Sequence, residues 1–173
     1  LGPSECSGPD QHWSSDTLSC FEIRYVDKTW TGALNDCSAN SAASVTDSLG
    51  RLAFVPTKKL NDALRAVVNP IVLDFWIGLG TDGTLDADGN PIYIWKSPNN
   101  SYKCPLDYNL TTSIGWTPNT NPSNGKNCVH VQRLDGQWLS TAQCNDKKSF
   151  ICEFYSGKTM NFRCKFSTKA CKF

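Results

Sequence analysis

Nine cysteines in 173 residues, at positions 6, 20, 37, 104, 128, 144, 152, 164 and 171, constrain this chain more than any other feature. So many thiols are untenable in a reducing compartment unless they hold metal. No Cys-x-x-Cys occurs, and the tightest spacings, Cys144 to Cys152 and Cys164 to Cys171, are too long for the paired ligands of a structural zinc site. Disulfides in an extracellular, oxidising setting are the better reading. Nine is odd, so at least one cysteine is free or pairs outside the chain. Two N-glycosylation acceptors, Asn99-Asn100-Ser101 and Asn109-Leu110-Thr111, lie in a polar, turn-rich stretch and point to the same secreted location. No basic and apolar leader opens the chain, as expected once a signal peptide has been removed. The longest apolar neighbourhood, Ala66 to Leu79, is interrupted by Asn69, Pro70 and Asp74, which leaves no candidate membrane span.

The length suits one globular domain with a short appendage. Six Trp, five Tyr and eight Phe against one Met predict a rigid, aromatic interior. The formal net charge of +1 conceals an asymmetry. Up to Glu153 there are 12 cations against 16 acids, a net of −4, whereas Lys158, Arg163, Lys165, Lys169 and Lys172 follow with no acid, a net of +5.

Hydrophobic spacing places two helices early. Thr29 is a plausible N-cap for a helix carrying Trp30, Ala33, Leu34 and Cys37 at helical intervals. A second helix follows Pro56-Thr57 with Leu60, Leu64, Val67 and Val68 on one face, and Asn69-Pro70 stops it. Leu52 to Val55 reads as a short buried strand between them. Phe75 to Leu79, Ile92 to Trp95, Cys128 to Val131, Gln137 to Leu139 and Phe150 to Phe154 read as later strands. Lys96 to Lys126 is rich in Asn, Ser, Thr, Pro and Gly and reads as one long loop, which in a compact domain usually carries function. Early helices followed by hairpin-like strands predict an α+β domain, two helices packed on short antiparallel sheets.

Phe75-Trp76-Ile77-Gly78-Leu79 resembles the Trp-Ile-Gly-Leu core motif of the C-type lectin-like domain. The flanking pattern agrees: Cys6 and Cys20, Trp30 to Cys37, then Trp138, Cys144 and the closing Ile151-Cys152-Glu153. The resemblance covers residues 6–154, with residues 1–5 as an N-terminal extension and 155–173 as a basic, cysteine-containing tail. It implies the long form of the fold, with disulfides Cys6–Cys20, Cys37–Cys152 and Cys128–Cys144. Cys104, Cys164 and Cys171 then remain, enough for one further bridge and one orphan.

In sugar-binding members, the resemblance implies, Ca²⁺ is held by a Glu-Pro-Asn or Gln-Pro-Asp loop, a Glu two residues before the cysteine equivalent to Cys128, and an Asn-Asp pair after the strand Trp. A hard cation needs six to eight oxygens, several of them anionic. This chain instead has Asn121-Pro122-Ser123, Lys126, and Leu139-Ser140 after Trp138. No anionic ligand survives and one position is reversed in sign, so any Ca²⁺ would be weakly held and no cofactor is expected. Asn121-Pro122-Ser123 reads as a surface turn, with Pro122 cis as the family often shows.

Asp86, Asp88 and Gly89 match positions three, five and six of an EF-hand, but position one is Thr84 and position twelve is Trp95 where a bidentate Glu is needed. A hairpin turn is the better reading, leaving at most a weak Ca²⁺ contact. His12 and His130 are the only histidines, and no Ser/His/Asp arrangement, phosphate loop or nucleophile elbow is present. An enzyme is not expected.

The candidate ligand contacts are therefore Trp116, Asn119, Thr120, Asn121, Asn124, Lys126 and Asn127 in the long loop, since amides bond hydroxyls without a metal. For Trp116, as for Trp138, packing in the core is the competing role. In the tail, Arg163, Lys165, Lys169 and Lys172 interleave with Phe162, Phe166 and Phe173, which suits a sulfated glycan or an acidic protein surface better than nucleic acid. The expected function is recognition of an extracellular protein or anionic glycan. The alternatives are neutral-glycan binding through a metal-free site, and a matrix component or homodimer crosslinked through the extra cysteine.

Overall fold

The computed structural model describes residues 6, 8–15, 18–39, 48–55, 57–68, 73–81, 83–96, 103–106, 127–132, 138–141 and 143–156. The chain begins with an antiparallel hairpin, β1 (Gln11–Ser14) and β2 (Ser19–Lys28), that sequence spacing did not indicate. Helix α1 (Trp30–Ala39) follows, then β3 (Ser48–Leu52) and helix α2 (Lys58–Val68). The remaining strands are β4 (Phe75–Gly80), β5 (Ile94–Lys96), β6 (Lys103–Pro105), β7 (Cys128–Val131), β8 (Trp138–Thr141) and β9 (Lys148–Ser156). All join one mixed sheet in the order β1-β2-β9-β4-β5-β6, with β3 on β9, β7 on β4 and β8 on β7. The architecture is α+β.

Both helices start where their caps predict. Thr29 Oγ1 accepts the Gly32 N–H at 3.1 Å, and Thr57 Oγ1 accepts the Leu60 N–H at 3.3 Å. Element boundaries differ from expectation at several strands: β4 runs one residue longer, β8 is Trp138–Thr141 and β9 extends to Lys148–Ser156. The strand expected at Leu52 to Val55 lies earlier, at Ser48–Leu52, because that is the stretch with a partner, β9. Residues 53–55 are buried without a ladder, Ala53 bonding Ile151 and Gly78 instead. The strand expected from Ile92 begins at Ile94, and the loop expected from Lys96 to Lys126 contains β6, a three-residue strand created by pairing with β5.

Two apolar clusters lie on either face of the sheet, and β4 divides them. Phe75, Ile77 and Leu79 enter the cluster with α2, Trp95 and Trp138, while Trp76 points to the cluster with α1. β4 is buried along its whole length, hence a continuous apolar run rather than an alternation. Its glycines are required by close approach. A Cβ on Gly78 would stand 2.7 Å from the Leu52 carbonyl oxygen, and one on Gly80 would stand 2.8 Å from the Trp30 ring. Trp30 Nε1 donates to the Ile77 carbonyl and Trp76 Nε1 to the Lys28 carbonyl, both at 2.9 Å, so two indoles tie β4 to α1 and to the end of β2.

The bridges Cys6–Cys20, Cys37–Cys152 and Cys128–Cys144 are formed as the resemblance implied. Cys37–Cys152 ties α1 to β9 across 115 residues, which constrains the unfolded chain by roughly 4 to 5 kcal/mol in the chain-entropy model.

Candidate functional site

Asn127 directly precedes β7. Asn127 is 1% exposed. Its carbonyl accepts the Thr81 N–H at 2.9 Å and its Nδ2 donates to Tyr93 Oη at 3.2 Å, so its polar groups point inward and brace the stem of the loop. Trp138, at the start of β8, is also buried and donates Nε1 to Asn61 Oδ1 of α2 at 2.8 Å. Trp95 meets Trp138 edge to face at 5.6 Å and Phe54 at 5.1 Å. Trp138 thus belongs to a buried aromatic cluster with Trp95 and Phe54. Asn127 Oδ1 and Asn61 Nδ2 are buried without a partner among the described residues.

Of the other residues singled out by sequence, Trp116, Asn119, Thr120, Asn121, Asn124 and Lys126 lie outside the described residues. So do Pro122, Asn99, Asn109, Arg163, Cys164, Lys165, Lys169, Cys171 and Lys172. Cys104 sits on β6, in register with Trp95 of β5.

The segment compared with an EF-hand is a turn. Asp86 Oδ1 accepts the backbone N–H of Asn90 at 2.8 Å and of Asp88 at 3.0 Å, an isolated bridge pairs Leu85 with Pro91, and Gly89 supplies the positive φ of 82°. Those bonds, from Asn90 first, hold the exposed Asp86 carboxyl below its ordinary range. Among the described residues, no three His, Cys, Asp or Glu side chains gather where they could hold a metal ion. Leu139 and Ser140, which follow Trp138, lie on β8.

Two polar sites that sequence reasoning did not anticipate lie along β9. Glu153 is wholly buried and accepts Nε of Arg51 at 2.8 Å, Nη2 of Arg51 at 3.1 Å, Oγ of Ser19 at 2.9 Å and the N–H of Phe54 at 3.2 Å. The Arg51 guanidinium is held between the Phe54 and Tyr155 rings, 4.4 and 4.6 Å from their centroids. At the other end of β9, His130 of β7 is 7% exposed, edge to face with Trp76 at 5.5 Å, and its Nε2 lies 3.6 Å from Asp74 Oδ2. Lys148 Nζ is also 3.6 Å from that carboxylate and 5.2 Å above the Trp76 ring. Burial, then the Lys148 charge, push the His130 pKa down to about 4 against the opposing pull of Asp74 and Asp146. His130 reads from sequence as one residue of an alternating strand; its burial follows from the packing of β7 on β4.

Comparison with known proteins accords with this framework. The sequence model of the Lectin C-type domain family matches residues 26–154. The secretory phospholipase A2 receptor of Mus musculus is 23% identical over 146 residues, covering 83% of this chain but 8% of the receptor. This chain therefore spans a small part of that relative. Lectin BRA-2 of Megabalanus rosa is 24% identical over 149 residues, 86% of this chain and 71% of that protein. Among solved structures, the Ca²⁺-independent C-type lectin SPL-2 from Saxidomus purpuratus superposes with a TM-score of 0.57 at 22% identity, covering 88% of this chain and 96% of that one. With the family matched across most of its length and the fold and disulfide framework in place, this chain belongs to the C-type lectin domain family.

Proposed function

We propose that this chain is a secreted, non-enzymatic recognition module that binds a protein partner or an anionic glycan without the Ca²⁺-dependent sugar site of its family. The observation that carries the reading is the loss of anionic ligands: Asn121-Pro122-Ser123, Lys126 and Leu139-Ser140 stand where carboxylates would hold the cation. The basic tail supplies the charge for an anionic ligand through Arg163, Lys165, Lys169 and Lys172, and the loop supplies neutral contacts through Trp116, Asn119, Asn121 and Asn124. The domain proper is residues 6–154 and the tail 155–173. The relatives are compatible with either class of ligand, one being a receptor for a secreted phospholipase by name and others being lectins. A second reading, recognition of neutral glycans through a metal-free loop site, is favoured by the likeness to SPL-2, a lectin described as Ca²⁺-independent.

Retention on heparin and binding to a glycan array, each with Ca²⁺ and with chelator, test the proposal. The informative variant ends after Ser156, where β9 finishes. Heparin retention that survives chelator and disappears with the tail supports the first reading. Chelator-resistant binding to neutral glycans supports the second, and chelator-sensitive binding to mannose or galactose overturns both.

A further inference from the structure

Strands β7 and β8 join the sheet through β4. Among the described residues β8 pairs only with β7, and β7 meets β4 through Phe75–Val131, Trp76–His130 and Gly80–Cys128, with the register broken between Trp76 and Gly80. His130 is the middle rung of that seam. Its Nδ1 is buried with no hydrogen-bond partner among the described residues, and its Nε2 is too far from Asp74, at 3.6 Å, for a good hydrogen bond. The groups facing it are Asp74, just before β4; Lys148 of β9; Asp146, in the turn before β9; and, on β8, the uncharged Leu139 in register. A neutral imidazole fits this site. An imidazolium would carry an Nδ1–H with no acceptor, beside an ammonium, in a place closed to water.

We propose that His130 is an acid-sensitive latch: neutral, it seats the β7–β8 hairpin on β4, and on protonation it leaves its site, so that the hairpin opens locally while the Cys128–Cys144 bridge keeps it tethered. The sign follows from linkage. Once open and solvated, His130 takes a proton near its ordinary 6.5, whereas the seated ring resists until about 4, so acid favours the open form throughout that window.

Amide exchange on the full disulfide-bonded chain tests this, in a His12→Ala background that leaves His130 as the single imidazole. Corrected for intrinsic rates, protection of the Val129, Val131 and Leu139 amides falls by up to about tenfold per pH unit between pH 6.5 and 4, while that of Phe21 and Ile23 in β2 changes less. His130→Phe removes this dependence, and Lys148→Met shifts the seated ring's titration toward 6.5. An imidazole that titrates near 6.5 in the folded chain, or β7–β8 protection that falls equally in His130→Phe, overturns the proposal. Should His130→Phe fail to fold, the imidazole titration and the exchange of the His12→Ala chain decide the matter between them.

Discussion

Glu153 and Lys148 stand toward opposite ends of β9, and the buried polar groups around them are completed to different degrees. The Glu153 carboxylate receives four hydrogen bonds from Arg51, Ser19 and the Phe54 backbone, and its cation is enclosed by two rings. Among the described residues, His130 has one nitrogen without a hydrogen-bond partner, and its other nitrogen lies 3.6 Å from the Asp74 carboxylate. A buried charge with every lone pair matched joins strands rigidly, because separating them strands an ion in a dry site. A half-matched titratable group makes its strand's attachment depend on pH. The end of the sheet carrying β2, β3 and the Cys37–Cys152 bridge is of the first kind; the end carrying the loop stem is of the second.

The sharpest way to break this comparison is Arg51→Met. It leaves Glu153 buried without its cation and is expected to cost about 3 to 5 kcal/mol, read by denaturant unfolding. Adding Glu153→Leu should recover most of that loss, since the pair as a whole is worth far less than either half is costly to remove. If the double variant is no better than the single, the site contributes more than charge matching.

Acid supplies the next largest effect. With its seated pKa near 4 against an ordinary 6.5, neutral His130 contributes fully above pH 6.5, and global stability should decline by up to roughly 3 kcal/mol as pH falls to 4. His130→Phe flattens that component in a series of thermal unfolding scans, leaving only what the carboxylates contribute.

Trp138→Phe is smaller. It keeps the packing against Trp95 but removes the N–H that Asn61 accepts, and should destabilise by about 1 to 3 kcal/mol by depriving a buried amide oxygen of that bond. The smallest expected effect is that of chelator, which should leave the unfolding temperature unchanged if the missing carboxylates mean what the proposed function takes them to mean. A chelator-induced drop would show that Ca²⁺ is held after all.

Much of this fold is readable from short-range pattern. Trp30 to Cys37 repeats at helical intervals behind a Thr cap, and the strand motif around Gly78 needs glycine where two backbones touch. The β1–β2 hairpin was missed although Phe21 and Ile23 alternate with Glu22 and Arg24. Buried Cys20 beside buried Phe21 blurs one end of that alternation, and a register shift between Arg24 and Lys28, with Tyr25 and Val26 exposed, blurs the other. β6 has only three residues and exists because β5 is there to pair with it. Among the candidate site residues, Asn127 was marked by its place in the loop, but its inward bond to Tyr93 joins residues 34 apart and no local signal announces it.

Residue order was sufficient for an aromatic core, a matter of residue type, and, through the family resemblance it carries, for the pairings Cys6–Cys20, Cys37–Cys152 and Cys128–Cys144. Tertiary packing decided which polar groups were sealed from water and with what company. Arg51 and Glu153 are 102 positions apart, and His130 meets Asp74 and Trp76 from one distant segment and Lys148 from another. The energy of a buried charge depends on its whole surroundings, and those surroundings exist only once the sheet has closed.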